Sequence, residues 1–348
     1  MIKVQADRLT AFIRALFQKL GAPERHAQLL ADSLVGADLE GVASHGVMLL
    51  PMYIERAQAG GVSLTAQPEV VEDLGALLVL TAHNGLGQVS SQVAVDEAIE
   101  RARRHGVSTV AVREGFHFGA AAYWARQLAA QGMVGMAFSN TRPLMPAPGG
   151  AERLVGNNPL CLAFPSKKGM PLIMDMAMSA SAMGKIRLAD AKGEPIPTGW
   201  ATDEDGNDTT SAAEAIKGML LPAAGPKGFG LAVAIDLLCG ALSGGGIASQ
   251  VRPLYGNAAQ PYNCAHAFIA IDAARLNGGR GIAEQVDALG DAIRSSRKAP
   301  GVERLYAPGD LERSRREQSQ GLCALQDDLV DKLNTVAKQY GIEPLQSA

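Results

Sequence analysis

Apolar residues recur at intervals of three and four through the first part of the chain, the spacing that lines side chains up on one face of an α-helix. Leu9, Phe12, Ile13, Leu16, Phe17 and Leu20 form one stripe over residues 6–20, stopped by Gly21. A second stripe runs through Ala27, Leu30, Ala31, Leu34 and Val35, with Pro23 suited to the first turn and Gly41 beyond the end. A third helix is predicted over residues 47–59, before Gly60-Gly61. Three short helices bury little area alone, so they are expected to pack on something larger.

The pattern then changes. Compact apolar runs at 74–81, 107–112, 133–139, 160–164, 171–175 and 268–272 read as buried strands, the fourth and fifth joined by a turn at 165–169. Helical periodicity occupies 90–104, 120–130, 282–297 and 325–339. Residues 229–242 are apolar on nearly every side and predict a central helix. Interleaved strands and helices imply an α/β or α+β fold without fixing strand order, and 348 residues exceed what one growing core holds.

Composition narrows the partners. A formal charge of -3 creates no field that attracts nucleic acid. No apolar run nears the roughly 20 residues that cross a bilayer, so no membrane is expected. The first residues lack the basic and apolar regions of a signal peptide, which makes the cytoplasm the expected location. Cys161, Cys239, Cys264 and Cys323 are scattered without a C-x-x-C pair, so buried free thiols are expected and no metal.

Several stretches carry candidate chemistry. Ser44-His45-Gly46 stands at the hinge between the second and third helical patterns, with Ser44 placed to cap the third and Gly46 letting a ligand approach the backbone. An imidazole titrates near pH ~6.5 and so gives or takes a proton at neutral pH, although a lone histidine is more often a plain surface residue. His117 follows the 107–112 strand and precedes a helix, where ligands gather in α/β folds; packing between Phe116 and Phe118 is the plainer alternative. Asp175 ends the 171–175 strand and is followed by small residues. A buried carboxylate needs a partner, and a histidine fits. Such pairing would raise the imidazole pKa by about 1–3 units, readying it to protonate an oxyanion. Tying down its own turn is the simpler role for Asp175.

Lys227 lies among Gly225, Gly228 and Gly230 where a helix begins, an arrangement suited to a phosphate, though an ordinary solvated turn has the same composition. Pro308-Gly309-Asp310 with Glu312 and the basic run 313–316 offers cofactor contacts or simply a solvated charged helix. Gly85-x-Gly87 between a strand and a helix suggests a dinucleotide fingerprint, but Ser90 stands where the third glycine belongs. No G-x-S-x-G elbow and no H-E-x-x-H appear.

Taken in order, Ser44-His45-Gly46-Val47, His117-Phe118-Gly119, Gly156-Asn157-Asn158-Pro159, Asp175-Met176-Ala177 with Ser179, Gly184-Lys185-Ile186, Gly199-Trp200, Lys227-Gly228 and Pro308-Gly309 resemble the malate/L-lactate dehydrogenase family of NAD(P)-dependent oxidoreductases. The resemblance extends over residues 6–341 and implies an α/β fold with a non-Rossmann nucleotide-binding domain whose sheet is largely antiparallel. That domain would span 66–309, beside a helical part made of 1–65 joined by 310–348, in a homodimer. The implied reaction moves a hydride between NAD or NADP and a small molecule, a 2-oxo or 2-hydroxy acid; reduction of a cyclic imino acid is the close alternative. Carried over by position, the catalytic residues are Ser44, His45, His117 and Asp175. The implied cofactor contacts are His117, Ser139, Asp175, Met176, Ala177, Lys227, Gly228, Pro308, Gly309 and Asp310. Two departures stand out: Leu49 and Met183 occupy positions where many members carry arginine. Two missing guanidinium groups unsettle a small dicarboxylate substrate. Lys185, Arg142 or Arg187 would have to stand in, or the substrate is bulkier and more apolar. A catalytically idle binding protein is the reading from another class.

Overall fold

The computed structural model describes residues 1–348. The chain opens on β1 (Ile2–Gln5), a strand the apolar pattern does not announce. It pairs antiparallel with the last strand, β11 (Leu322–Leu325), so its cause lies more than three hundred residues away. Between β1 and the sheet come α1 (Ala6–Lys19), α2 (Glu24–Leu39) and α3 (Leu50–Ala59). The stripes fall as expected, with Leu9, Ile13, Leu16 and Phe17 buried against Leu30, Ala31 and Leu34. The third helix starts later than its apolar pattern, because Val47–Leu49 forms a separate 3-10 turn.

A sheet of seven strands follows. Its members are β2 (Glu69–Asp73), β3 (Leu77–Thr81), β4 (Val107–Gly115), β5 (Val134–Ser139), β6 (Leu160–Phe164), β7 (Leu172–Met176) and β10 (Cys264–Ile271), after the small β8 (Ala201–Thr202) and β9 (Met219–Leu220) ribbon. The order is β2-β3-β4-β10-β5-β6-β7. Every neighbouring pair is antiparallel except β3 and β4, which α4 (Gly87–His105) connects as a parallel pair requires. The largely antiparallel α/β architecture is as expected. β2 escapes a sequence reading because all five of its residues are exposed, which erases the alternation that marks a strand. β10 begins at Cys264, ahead of the expected 268–272 run, and lies in the middle of the sheet.

One face of the sheet is covered by α4 and α5 (Ala121–Ala130), with Val95, Ala98, Trp124 and Leu128 on Val110, Val112 and Phe268. The other carries α6 (Met183–Lys192), α7 (Ala212–Lys217) and α8 (Pro226–Asp236), where Ala232, Ile235 and Cys239 pack on Phe138, Ala265 and Ala267. The expectation of a central helix at 229–242 needs correction. The helix starts at Pro226, ends in a π turn at Leu237–Ala241, and buries only one side. Leu231, Leu237, Leu238 and Leu242 face outward. The chain closes with α9 (Ala283–Ser295), α10 (Asp310–Ser319), β11 and α11 (Asp327–Gln339). All four cysteines are buried and unpaired. No helix is long and apolar enough to cross a membrane.

Candidate active site

A cleft of about 640 Å³ opens between the end of α2, the turn from β4 into α5, the end of β7 and Pro308-Gly309. His45, His117 and Asp175 all line it, as do Ser139, Met176, Ala177, Pro308 and Gly309.

His45 is carried by two consecutive 3-10 turns, Ala43–His45 and Val47–Leu49. Ser44 does not cap the following turn: its Oγ lies 3.0 Å from His45 Nδ1 and orients the ring. The cap is Asp38, whose Oδ2 accepts the Val47 amide at 2.8 Å. Nor does Gly46 serve a ligand, since a Cβ there would overlap the Asp38 carboxyl. Burial raises Asp38 to about 7.

His117 stacks on His45 with ring centroids 5.7 Å apart. The Tyr53 hydroxyl lies 2.9 Å from His117 Nδ1, donates to the His117 carbonyl at 2.9 Å, and accepts from Gln88 Nε2 at 2.9 Å. One edge of each imidazole is thus held by protein, leaving Nε2 of both without a protein partner. Burial lowers the pKa of both rings, that of His117 to about 3 with help from the nearby His45 and His266 charges. At neutral pH the cleft therefore holds two neutral imidazoles.

Asp175 does not pair with His45 as expected. Its Oδ2 accepts the Ala122 amide at 2.8 Å, a donor in the first turn of α5, while His45 is engaged by Ser44. Both side chains border the same cleft, but no hydrogen bond or ion pair joins them, and burial rather than a carboxylate sets the His45 shift. Asp175 is solvent-exposed at the end of β7, yet the surrounding protein mass raises it to about 6, and the Glu312 and Glu40 charges push the same way.

The other sequence-derived positions divide. Ser139 is buried, its Oγ 3.0 Å from His266 Nδ1. The Asp310 carboxylate is a clamp: it is 1% exposed, binds Arg294 at 2.7 and 3.0 Å and Arg313 at 2.7 Å, and accepts the Ala307 amide. Lys227 and Gly228 start α8 away from the cleft wall; Gly228 is required because a Cβ would strike the Ala223 carbonyl. Gly87 likewise serves packing, its α-carbon resting on the Phe116 and His117 backbone, which accounts for a glycine pair without a dinucleotide fingerprint. Leu49 is sealed in the core of the first three helices, whereas Lys185 lines the cleft with no partner.

Sequence reasoning missed His266, fully buried on β10 with Nε2 3.0 Å from the Phe116 carbonyl and its ring stacked 4.4 Å from Phe118. A lone polar residue in the run Ala265-His266-Ala267-Phe268 was the available signal. Thr141 and Tyr262 also line the cleft unannounced, beside Asn157 of the Gly156-Asn157-Asn158-Pro159 run. A second cavity of about 610 Å³ adjoins it, sharing Glu40, Arg126, Ile173 and Gly309, with Arg126 bound to Glu40 at 2.6 and 3.0 Å.

Comparison with known proteins places the fold in a family. The family model for malate/L-lactate dehydrogenase matches residues 4–334. The chain is 35% identical to malate dehydrogenase of Pyrococcus abyssi, over 99% of this chain and 97% of that one. The solved sulfolactate dehydrogenase from Methanocaldococcus jannaschii superposes with a TM-score of 0.93 at 34% identity, covering 99% of this chain and 98% of the other. The delta1-piperideine-2-carboxylate reductase from Pseudomonas syringae pvar. tomato gives 0.85 at 28% identity, over 97% of this chain and 100% of the other. The molecule is an enzyme, an oxidoreductase of the dehydrogenase type. More narrowly, the chain belongs to the malate/L-lactate dehydrogenase family.

Proposed function

We propose that this enzyme interconverts a 2-hydroxy acid and its 2-oxo acid with NAD or NADP, His45 exchanging the proton at the C2 oxygen. The observation that carries the reading is the pair of stacked imidazoles, each with Nε2 free, in a cleft that extends into a second cavity. The residues present fit a dinucleotide: Gly119, Ala120, Ala121, Ala122, Ala177 and Gly309 form a small-residue wall over which a long ligand can lie close to the backbone. His117, Met176, Ala177, Pro308 and Gly309 would hold it. When bound, the nicotinamide supplies or accepts the hydride.

The chain's own residues do the rest. In oxidation neutral His45 takes the hydroxyl proton, and burial, which lowers its pKa, keeps it neutral and ready. In reduction it must first gain a proton, and the substrate carboxylate brought in beside it favours that charge. Ser44 fixes the ring from Nδ1, Tyr53 and Gln88 fix His117, and Lys185 meets the substrate carboxylate. The outward leucines of α8 and its π turn would be covered in a homodimer. The same proton delivered to nitrogen would reduce a cyclic imino acid; the likeness to the piperideine carboxylate reductase favours keeping that second reading.

Fluorescence titration with NADH and NADPH, followed by NAD(P)H absorbance with a panel of 2-oxo acids and cyclic imino acids, tests both. Oxidation of cofactor by a 2-oxo acid is expected. Turnover of imino acids alone would transfer the function to the second reading, and absence of binding by either cofactor would leave an idle relative.

A further inference from the structure

Ser139 ends β5 and lines the cleft, 5% exposed. Its hydroxyl is surrounded by acceptors: His266 Nδ1 at 3.0 Å, the Asn140 carbonyl at 3.1 Å and the Ala265 carbonyl at 3.4 Å. No N–H or O–H of the protein donates to it. One proton thus faces three acceptors, while the lone pairs of Oγ have no donor.

His266 decides where that proton goes. The ring is fully buried on β10, directly across from Ser139, and Gly115 leaves room for it, since a Cβ there would come within 3.0 Å of Nε2. Burial lowers its pKa to about 4, so at neutral pH it carries a proton on one nitrogen only. Nε2 faces the Phe116 carbonyl at 3.0 Å, and a carbonyl can only accept. The Cys264 sulfur, 3.7 Å from the same nitrogen, is the weaker partner. The proton is therefore on Nε2, and Nδ1 is a bare lone pair. A hydroxyl 3.0 Å from that lone pair must donate to it. The same ring holds the Phe116 carbonyl, one residue before the His117 that stacks on His45.

We propose that His266 is a positioning residue that fixes Ser139 as a hydrogen-bond acceptor in the cleft, where it takes an N–H of the nicotinamide carboxamide. The inference rests on the nicotinamide reading above. The substrate does not compete for this place: an ionised 2-oxo acid carries no donor, and the C2 hydroxyl of a 2-hydroxy acid gives its one proton to His45. The carboxamide brings two N–H groups, on the ring that must lie beside His45 for hydride and proton to reach one substrate.

The test measures Kd by calorimetric titration for NADH and for its reduced 3-acetylpyridine analogue, in which methyl replaces the carboxamide NH2. The corresponding NADPH pair is used if the wild type binds NADPH alone. The wild type should prefer the carboxamide by about 2–10-fold, the worth of one neutral hydrogen bond, and Ser139→Ala should bring the ratio to about one. His266→Asn sets an amide oxygen near the Nδ1 position and should keep the ratio, whereas His266→Gln reaches the Phe116 carbonyl but not Ser139 and should lose it. A wild-type ratio near one overturns the proposal, as does a ratio unchanged in Ser139→Ala or His266→Gln; a packing role alone would weaken both ligands equally. If the wild type binds neither cofactor, the nicotinamide reading fails separately and the carboxamide assignment falls with it. Nitrogen-15 spectra of histidine-labelled wild type then decide the role of His266, as they do if a variant fails to fold. An unprotonated Nδ1 with a protonated Nε2 supports the acceptor assignment, and a protonated Nδ1 overturns it.

Discussion

The Asp38 carboxylate accepts the Val47 amide at 2.8 Å across the turn that bears His45, and Gly46 lies flat against the same carboxyl. A helix that ends at Leu39 thereby fixes the position of a side chain six residues beyond its end. The local sequence supplies all three parts, yet the arrangement exists only because α2 is packed so that Asp38 faces inward.

Asp38 should make stability fall with pH. Burial raises its pKa to about 7 from 3.8 for a free aspartate. Between those values the folded chain keeps a proton that the unfolded chain has lost, so unfolding gains free energy as pH rises through the window. Below pH ~4 both states are protonated and the effect vanishes. Asp38→Asn retains an acceptor for Val47 but cannot ionise. Its melting temperature relative to the wild type should climb from pH 4 to pH 7.5; a constant difference would show that Asp38 titrates normally.

Gly46→Ala should act through Asp38. The added methyl overlaps the carboxyl, and a few kcal/mol of overpacking, about 1–3, is the usual result. The displaced carboxylate gives up Val47, so His45 moves and turnover falls with stability. Adding Asp38→Ala removes the clash, and the double variant should be more stable than the sum of the single losses predicts. Urea denaturation of the four proteins measures the coupling, and strict additivity would separate Gly46 from Asp38.

Periodicity reached the elements whose burial alternates or forms a stripe: α1, α2, α4, α5 and the strands β4 to β7 stand where apolar spacing puts them. It failed where the partner is distant. β1 exists because of β11, β2 is exposed throughout, and the apolar ring of α8 faces outward on one side. At the site, His45, His117 and Asp175 were legible as polar interruptions at element ends. Asp38, Tyr53 and Gln88 were not, because Asp38 and Tyr53 sit inside helical patterns, Gln88 lies just ahead of one, and the role of each is set by what packs opposite. The supposed His45–Asp175 pair failed for a similar reason: the Ala122 amide, invisible as a donor in sequence, took the carboxylate first.

Arg56 illustrates how far such hidden contacts reach. It lies on the polar side of the α3 pattern but is 2% exposed, and it donates to the carbonyls of Leu254 at 2.9 Å and of Gln260 and Pro253 at 2.7 Å each. Those acceptors belong to the loop that leads to Tyr262 in the cleft wall. Arg56→Met should lose about 1–3 kcal/mol, since three loop carbonyls lose a charged donor. Hydrogen exchange should rise first over residues 252–262, with an accompanying rise in substrate KM. A uniform rise across the chain would assign Arg56 to global stability alone.

His45 and Tyr53 touch the same imidazole in different ways, and their variants should separate. His45→Ala removes the proton carrier, and turnover should fall by about 10²–10⁴, the usual worth of a positioned acid or base. Tyr53→Phe leaves Gln88 and His117 Nδ1 short of a partner, so it should cost about 1–3 kcal/mol of stability with a smaller effect on turnover. The pH profiles give a second discrimination. Because burial lowers the His45 pKa, the neutral base needed for oxidation persists below pH ~6.5, and kcat/KM for the hydroxy acid should decline only in more acidic buffer. In reduction the protonated form is needed, so kcat/KM for the oxo acid should drop as pH rises through the same pKa. His45→Ala should abolish both limbs while Tyr53→Phe keeps them. Limbs that survive in His45→Ala would assign the proton to His117 instead.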